Sequence, residues 1–175
     1  MNRRYFLGMT LSAMAAPALA RGQSQRPRAL SLHHLHTDEK ISIVYREGDH
    51  YKRSALQQLN FFMRDFRTGD TMPMDPQLMD LLYDVKVSLG DPDARFEILS
   101  AYRTPKTNAM LRAEGHKAAR NSLHLYGMAL DIRFPDLGTS YIRDAALSLG
   151  RGGVGYYPSS DFVHVDTGAV RAWRS

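Results

Sequence analysis

The sequence predicts an α+β fold, a single domain with a small, largely antiparallel sheet and helices packed on it. Three observations carry that reading. Apolar residues alternate with polar ones at Leu30 and Leu32 and again at Ile41, Ile43 and Tyr45. Apolar residues recur at helical spacing over 54–66 and 75–90. Short β-like runs bounded by glycine and proline cluster toward the carboxy terminus. No internal repeat and no second linker divides the chain.

In chain order, residues 21–28 are polar and aperiodic, include Pro27, and read as a flexible tether to a domain over 29–175. The two alternating runs flank Thr37-Asp38-Glu39-Lys40 and predict a hairpin. Leu56, Leu59, Phe62, Met63 and Phe66 share one helical face, which predicts a helix over 54–66 ending before Gly69. Asp75-Pro76 offers an N-cap followed by proline at the first helical position. Leu78, Leu81, Leu82, Val85 and Leu89 make the apolar face of that helix, and Gly90 ends it. Phe96, Ile98 and Ser100-Ala101-Tyr102-Arg103 predict a strand running into a loop, with a short helix over 107–114 after it. Residues 124–134 predict a mostly β segment that contains Gly127 and stops at Pro135. A helix over 140–149, a strand over 154–157 and a last strand over 162–166 complete the pattern.

With 175 residues, 43% of them hydrophobic and 23% charged, the chain can build a packed core. The absence of cysteine excludes disulfides, thiol nucleophiles and thiolate-held clusters, so any metal must be held by His, Asp or Glu. The net charge of +5 falls to +3 once residues 1–20, with Arg3 and Arg4 and no acid, are set aside. That is too weak and too scattered to indicate a nucleic-acid partner.

Arg3-Arg4-Tyr5-Phe6-Leu7, an apolar stretch to Ala16, Pro17 and then Ala18-Leu19-Ala20 follow the order of a bacterial export signal. The Arg-Arg-x-Phe-Leu pattern resembles a twin-arginine signal. It predicts passage through the twin-arginine translocase, cleavage after Ala20 and a periplasmic product without stable membrane insertion. The alternative, a membrane anchor, needs roughly 20 apolar residues, and this stretch is shorter.

Seven histidines are present. His33, His34 and His36 lie near the predicted hairpin, and His33 and His34 point to opposite faces of a strand, so they are not read as a metal cluster. His50 and His116 lie in polar loops without a partner pattern. His124 and His164 differ, because each is accompanied by a carboxylate: Asp131 for the first, Asp161 and Asp166 for the second. His164 and Asp166 are two apart on a predicted strand and share a face. His124 and Asp131 are seven apart, so a turn or bulge near Gly127 must correct the parity if both bind one metal. Two imidazoles and one carboxylate give zinc three ligands and leave a fourth position for water, the arrangement of a hydrolytic site. Spacing alone leaves satisfied structural histidines as the alternative.

Ser-x-His-x-x-Gly-x-Ala-x-Asp over 122–131, the upstream Ser100-Ala101-Tyr102-Arg103-Thr104 and the downstream Phe162-Val163-His164-Val165-Asp166 resemble the D-alanyl-D-alanine metallopeptidase group, which shares its zinc fold with the hedgehog signalling domain. Within it the chain is most similar to the murein endopeptidase K type. That similarity extends through Leu59-Asn60-Phe61-Phe62, Arg64-Asp65, Asp75-Pro76 and Gly152-Gly153-Val154-Gly155-Tyr156-Tyr157-Pro158 to Trp173.

The resemblance implies a zinc peptidase domain with a single Zn2+ held by His124, Asp131 and His164. It also implies that Arg103 binds substrate or the carbonyl oxygen as it becomes an oxyanion. For the general base, the wider pattern points to Asp161, three residues before the last zinc histidine. The endopeptidase K pattern and same-face geometry point to Asp166, which is preferred. Ser122 and Asn121 are expected to hydrogen-bond the ligand loop or the substrate, and Gly127 and Ala129 to keep space beside the metal. The implied activity is hydrolysis of peptide cross-links in peptidoglycan by a periplasmic, monomeric enzyme. The alternatives are a D-Ala-D-Ala carboxypeptidase and a non-catalytic, zinc-containing wall-binding module.

Overall fold

Leu30 and Leu32 are fully buried in β1 (Arg28–His34), while Ser31 between them faces the other side of the sheet, as strand alternation requires. The computed structural model describes residues 27–116 and 118–175. The expected signal over 1–20 and residues 21–26 of the expected tether lie outside the described residues.

β2 (Lys40–Glu47) pairs with β1 antiparallel, forming the predicted hairpin. β3 (His50–Tyr51) adds a short edge. Helix α1 (Arg53–Phe62) stops four residues earlier than its apolar spacing predicts, because the Asp65 amide bonds the Asp70 carbonyl in a turn that carries Phe66 off the helix. Helix α2 (Pro76–Ser88) has the predicted cap, with the Asp75 carboxylate accepting the Gln77 amide at 2.9 Å. After β4 (Arg95–Ser100) comes α3 (Pro105–Ala113), capped by the Thr104 hydroxyl. The segment predicted as mostly β divides in two. A 3-10 turn over Leu123–Tyr126 ends at Gly127 with φ +67°, and β5 (Ala129–Arg133) follows. α4 (Thr139–Ser148), β6 (Gly153–Tyr157) and β7 (Phe162–Asp166) follow the predicted order, and β8 (Arg171–Arg174) is an additional strand beyond the last one predicted.

The strands form one sheet in the order β3-β2-β1-β4-β5-β7-β6-β8. Most pairings are antiparallel, while β1–β4 and β6–β8 are parallel. The fold class is therefore α+β as predicted, but the sheet is mixed and, at eight strands among the described residues, not small. Its extra edges, β3 and β8, are too short to show alternation in sequence.

α1, α2 and α4 cover one face of the sheet. Leu78, Leu82 and Val85 of α2 meet Leu30, Phe96, Ile98, Leu130, Ile132, Val163 and Val165 in a single core. Each such buried side chain contributes roughly 1.5–3 kcal/mol. The opposite face carries Asp131, His164 and Asp166 on the alternate positions of the same strands. Among the described residues no helix is long and apolar enough to cross a membrane.

His34, at the end of β1, is 1% exposed and lies among His36, Phe62 and Phe66. Burial, reinforced by His36, pushes its imidazole down to about 4. Because this folded value lies below that of the unfolded chain, about 6.5, the unfolded state takes up the proton first as pH falls, and stability is lost between about 6.5 and 4. Urea unfolding at pH 7, 5.5 and 4.5 should show a decline whose slope is reduced in His34→Leu, by about 2 kcal/mol across the window.

Candidate metal centre

Cross-strand register sets Trp173, Gly155, His164, Asp131 and Ser100 in one line across the face opposite α1, α2 and α4, on β8, β6, β7, β5 and the end of β4. His124 reaches this line from outside the sheet. It sits on the 3-10 turn, and the left-handed Gly127 returns the chain to β5, so the parity problem is solved by a turn before the strand. Gly127 serves the backbone: a Cβ there would stand 2.6 Å from the Pro73 carbonyl oxygen. The close contact it avoids is with that chain segment, not with a metal as expected from sequence.

Three side-chain atoms converge. His124 Nε2 lies 3.3 Å from Asp131 Oδ1 and 3.3 Å from His164 Nδ1, and His164 Nδ1 lies 2.9 Å from Asp131 Oδ1. The far nitrogen of each ring has its own acceptor. His124 Nδ1 donates to the Ala101 carbonyl at 2.7 Å, and His164 Nε2 donates to Asp166 Oδ2 at 3.0 Å. With those protons placed, the three facing atoms are all acceptors. Packed this closely in a buried site, they repel unless a cation lies between them. Zinc–nitrogen bonds of about 2.0–2.1 Å arranged tetrahedrally put ligand atoms about 3.3 Å apart, so the donor set fits zinc in type and spacing.

The electrostatics favour positive charge at the same point. Burial pushes the His124 imidazole below its ordinary value. Burial acts the same way on His164, but the bonds that its protonated ring makes to Asp131 and Asp166 outweigh it and raise that imidazole, so a proton on Nδ1 competes with a metal cation for the same point. Burial disfavours the Asp131 carboxylate, yet His124, His164 and Arg103 hold its carboxyl well below the usual range. Arg103 donates from Nη2 to Asp131 Oδ2 at 2.5 Å and from Nε to Ser100 Oγ at 2.7 Å. It therefore fixes the carboxylate while Oδ1 turns to the histidines.

The two candidate bases occupy different places. Asp166 shares a face with His164 but stands behind the imidazole, fully buried. Its oxygens accept from the Gly153 and Gly168 amides at 2.9 and 2.8 Å and from Arg171 at 3.0 and 2.6 Å. Burial opposes ionisation, but these bonds and His164 drive its carboxyl far below the ordinary range. The same-face spacing here sets the Asp166 carboxylate at the far nitrogen of His164, on the side away from the three converging atoms. Asp161, in left-handed backbone with φ +51°, is largely exposed and reaches Arg133 and Thr139 only at 3.4 Å.

The cluster lies in a cleft of about 600 Å³. On one side its walls include His36, Arg67, Leu99 and Arg103; on the other, Tyr157, Phe162 and Trp173. Ser122 and Asn121 also line it, and the Ser122 hydroxyl accepts the His124 amide at 3.4 Å. Tyr157 stacks on Phe162 and accepts from Trp173 Nε1 at 2.9 Å, whereas Tyr126 is exposed outside the cleft. Sequence reasoning did not find Arg171, which anchors Asp166, or the Ala101 carbonyl. The nearest available signal was Arg171 standing two residues before Trp173, which places both on one face if the segment is extended.

A family model for Peptidase_M15_2, described as "Peptidoglycan L,D-endopeptidase MepK", matches residues 22–173. A protein of that description from Escherichia coli (strain K12) is 42% identical over 177 residues, covering 98% of this chain and 97% of its own length. The "Probable peptidoglycan L,D-endopeptidase MepK" of Haemophilus influenzae is 36% identical over 168 residues, covering 96% and 90%. A match of this extent, on a chain that sets two histidines and an aspartate around one point, identifies it as a member of the Peptidase_M15_2 family.

Proposed function

We propose that the protein is an exported zinc metallopeptidase that hydrolyses peptide cross-links of peptidoglycan at bonds between L- and D-configured centres. The observation that carries this reading is the convergence of His124, Asp131 and His164 as three acceptors on the floor of a cleft. The names of the relatives, which are peptidoglycan L,D-endopeptidases, supply the substrate class. The cleft extends to both sides of the cluster, toward Arg67 and toward Trp173, leaving room for chain on either side of a scissile bond. A carboxypeptidase would need only one.

When bound, zinc supplies Lewis acidity, lowering the pKa of a water molecule and polarising the scissile carbonyl. His124, Asp131 and His164 hold the ion, and Asp166 fixes the orientation of His164 by accepting its Nε2 proton. Arg103 lines the cleft beside Asp131, where its guanidinium donates to the substrate carbonyl oxygen as negative charge develops. Proton transfer is assigned to Asp161. Its contacts at 3.4 Å are long enough to release, and it adjoins the cleft residues Ser160 and Phe162. Its carboxylate takes the proton of the attacking water and returns it to the leaving amine.

Purified peptidoglycan incubated with the protein should lose cross-linked dimers and gain monomers, with the change abolished by a chelator and restored by zinc. Release of D-alanine alone would move the assignment to a carboxypeptidase, and no product from zinc-loaded protein would favour the wall-binding module. Asp166→Asn should weaken zinc retention about 10- to 100-fold, measured by equilibrium metal titration. Asp161→Ala should keep zinc and lose about 100-fold or more in turnover, and full activity in that variant would remove Asp161 as the proton carrier. Export through a twin-arginine signal is supported by Arg3-Arg4-Tyr5-Phe6-Leu7 and Ala18-Leu19-Ala20. Amino-terminal sequencing of periplasmic material should begin at Arg21, and a start at Met1 would reject cleavage.

A further inference from the structure

Among the described residues three arginines line the cleft: Arg67, Arg103 and Arg171. Two are already matched to carboxylates, Arg103 to Asp131 and Arg171 to Asp166. Arg67 is not. Among the described residues no carboxylate lies within ion-pair distance of it, and residues 1–26 contain no acid that could serve. A positive group is thus left uncompensated on the β4 side of the cluster, near His36.

The position of Arg67 is built rather than incidental. Asp65 is 1% exposed, and its Oδ1 accepts the Arg67 amide at 3.0 Å. Its Oδ2 accepts the Thr104 amide at 2.8 Å and the Thr104 hydroxyl at 2.9 Å. One buried carboxylate therefore ties together the two segments that carry Arg67 and Arg103. The Arg67 guanidinium lies 4.2 Å over the Phe66 ring, and Phe66 in turn stacks on His36 at 4.1 Å and 11°. These contacts restrain a side chain that would otherwise spend rotamer entropy on binding. An anchored backbone, a ring beneath the guanidinium and an unmatched charge facing the cleft together describe a receptor for an anion.

Resting on the peptidase reading above, we propose that Arg67, with His36 beside it, forms an anion subsite that takes a free carboxylate of the peptide substrate on the β4 side of the scissile bond. Peptidoglycan stems present such carboxylates, because their acidic residues are linked through one carboxyl group and leave the other free. A charge-assisted pair at this point would select free-acid stems over amidated ones and set the direction in which the peptide lies across Asp131 and His164.

The test uses zinc-loaded protein and two synthetic cross-linked stem peptides that differ only in whether the carboxyl groups flanking the scissile L,D bond are free or amidated. The wild type should favour the free acid about 10- to 100-fold in kcat/KM, mainly through KM, as expected for a hydrogen bond between charged groups. In Arg67→Gln that ratio should fall to near 1, and Arg67→Lys should restore part of it. Arg67 is exposed and its side chain makes no hydrogen bond among the described residues, so Arg67→Gln loses only the contact with the Phe66 ring and its urea midpoint should stay close to that of the wild type. Cleavage of both peptides with equal efficiency by the wild type, or an unchanged ratio in Arg67→Gln, would overturn the subsite alone. Cleavage of neither peptide by the wild type would overturn the peptidase reading and the subsite together.

Discussion

Three hydrogen-bond acceptors, His124 Nε2, His164 Nδ1 and Asp131 Oδ1, meet within 3.3 Å of one another in a buried pocket, and the fold must hold them there against their mutual repulsion. Each is held from behind. The Ala101 carbonyl takes the far proton of His124, Asp166 takes that of His164, and Arg103 takes the outer oxygen of Asp131. The last two supports are themselves charged. A buried charge is tolerated only when paired and hydrogen-bonded, so the demand moves outward to the next layer. Asp166 requires Arg171 and two backbone amides, which explains why β8 must add to the sheet edge. β8 in turn requires glycines on β6: a Cβ at Gly155 would come within 2.5 Å of the Trp173 ring, and one at Gly153 would meet Asp166 and Arg171.

Two further aspartates do similar work away from the three converging atoms. Asp75 caps α2, accepts the Thr167 hydroxyl at 2.6 Å and donates its amide to the Gly127 carbonyl, so the start of one core helix is joined to both ligand-bearing segments. Asp65 joins the turn after α1 to the start of α3. Removing either carboxylate would strand the donors it now satisfies and loosen the segments around the cluster, a loss felt at the site before it is felt in the core.

The hydrophobic skeleton was legible in the sequence because its elements repeat a period. β1 and β2, α2 with its Asp75-Pro76 start, and the alternation of Val163 and Val165 with His164 each show their buried face directly. The converging trio of His124, Asp131 and His164 was legible as residue types at a spacing. Less legible were features decided by a neighbour distant in sequence. The parity of His124 against Asp131 depended on a 3-10 turn that apolar alternation cannot distinguish from a strand. The end of α1 depended on the hydrogen bonds of Asp65, not on the apolar run that continues to Phe66. Whether Asp166 faces the converging atoms or the back of His164 depended on which imidazole nitrogen points inward. Residue spacing carries no information about that.

The charge balance of the pocket explains why its ligands are arranged this way. The two buried acids at the cluster, Asp131 and Asp166, are each matched by an arginine, so the protein contributes close to zero net charge around the three acceptors. A divalent cation held there therefore keeps most of its charge unneutralised. In a site shielded from solvent, that charge acts strongly on whatever enters the cleft. Had the third ligand been a second free carboxylate in place of an imidazole, or had Arg103 and Arg171 been absent, the acids would have cancelled the cation and weakened its pull on a carbonyl oxygen. The pairing of each aspartate with an arginine thus fixes the ligand geometry and also preserves the positive potential that the chemistry of peptide hydrolysis requires.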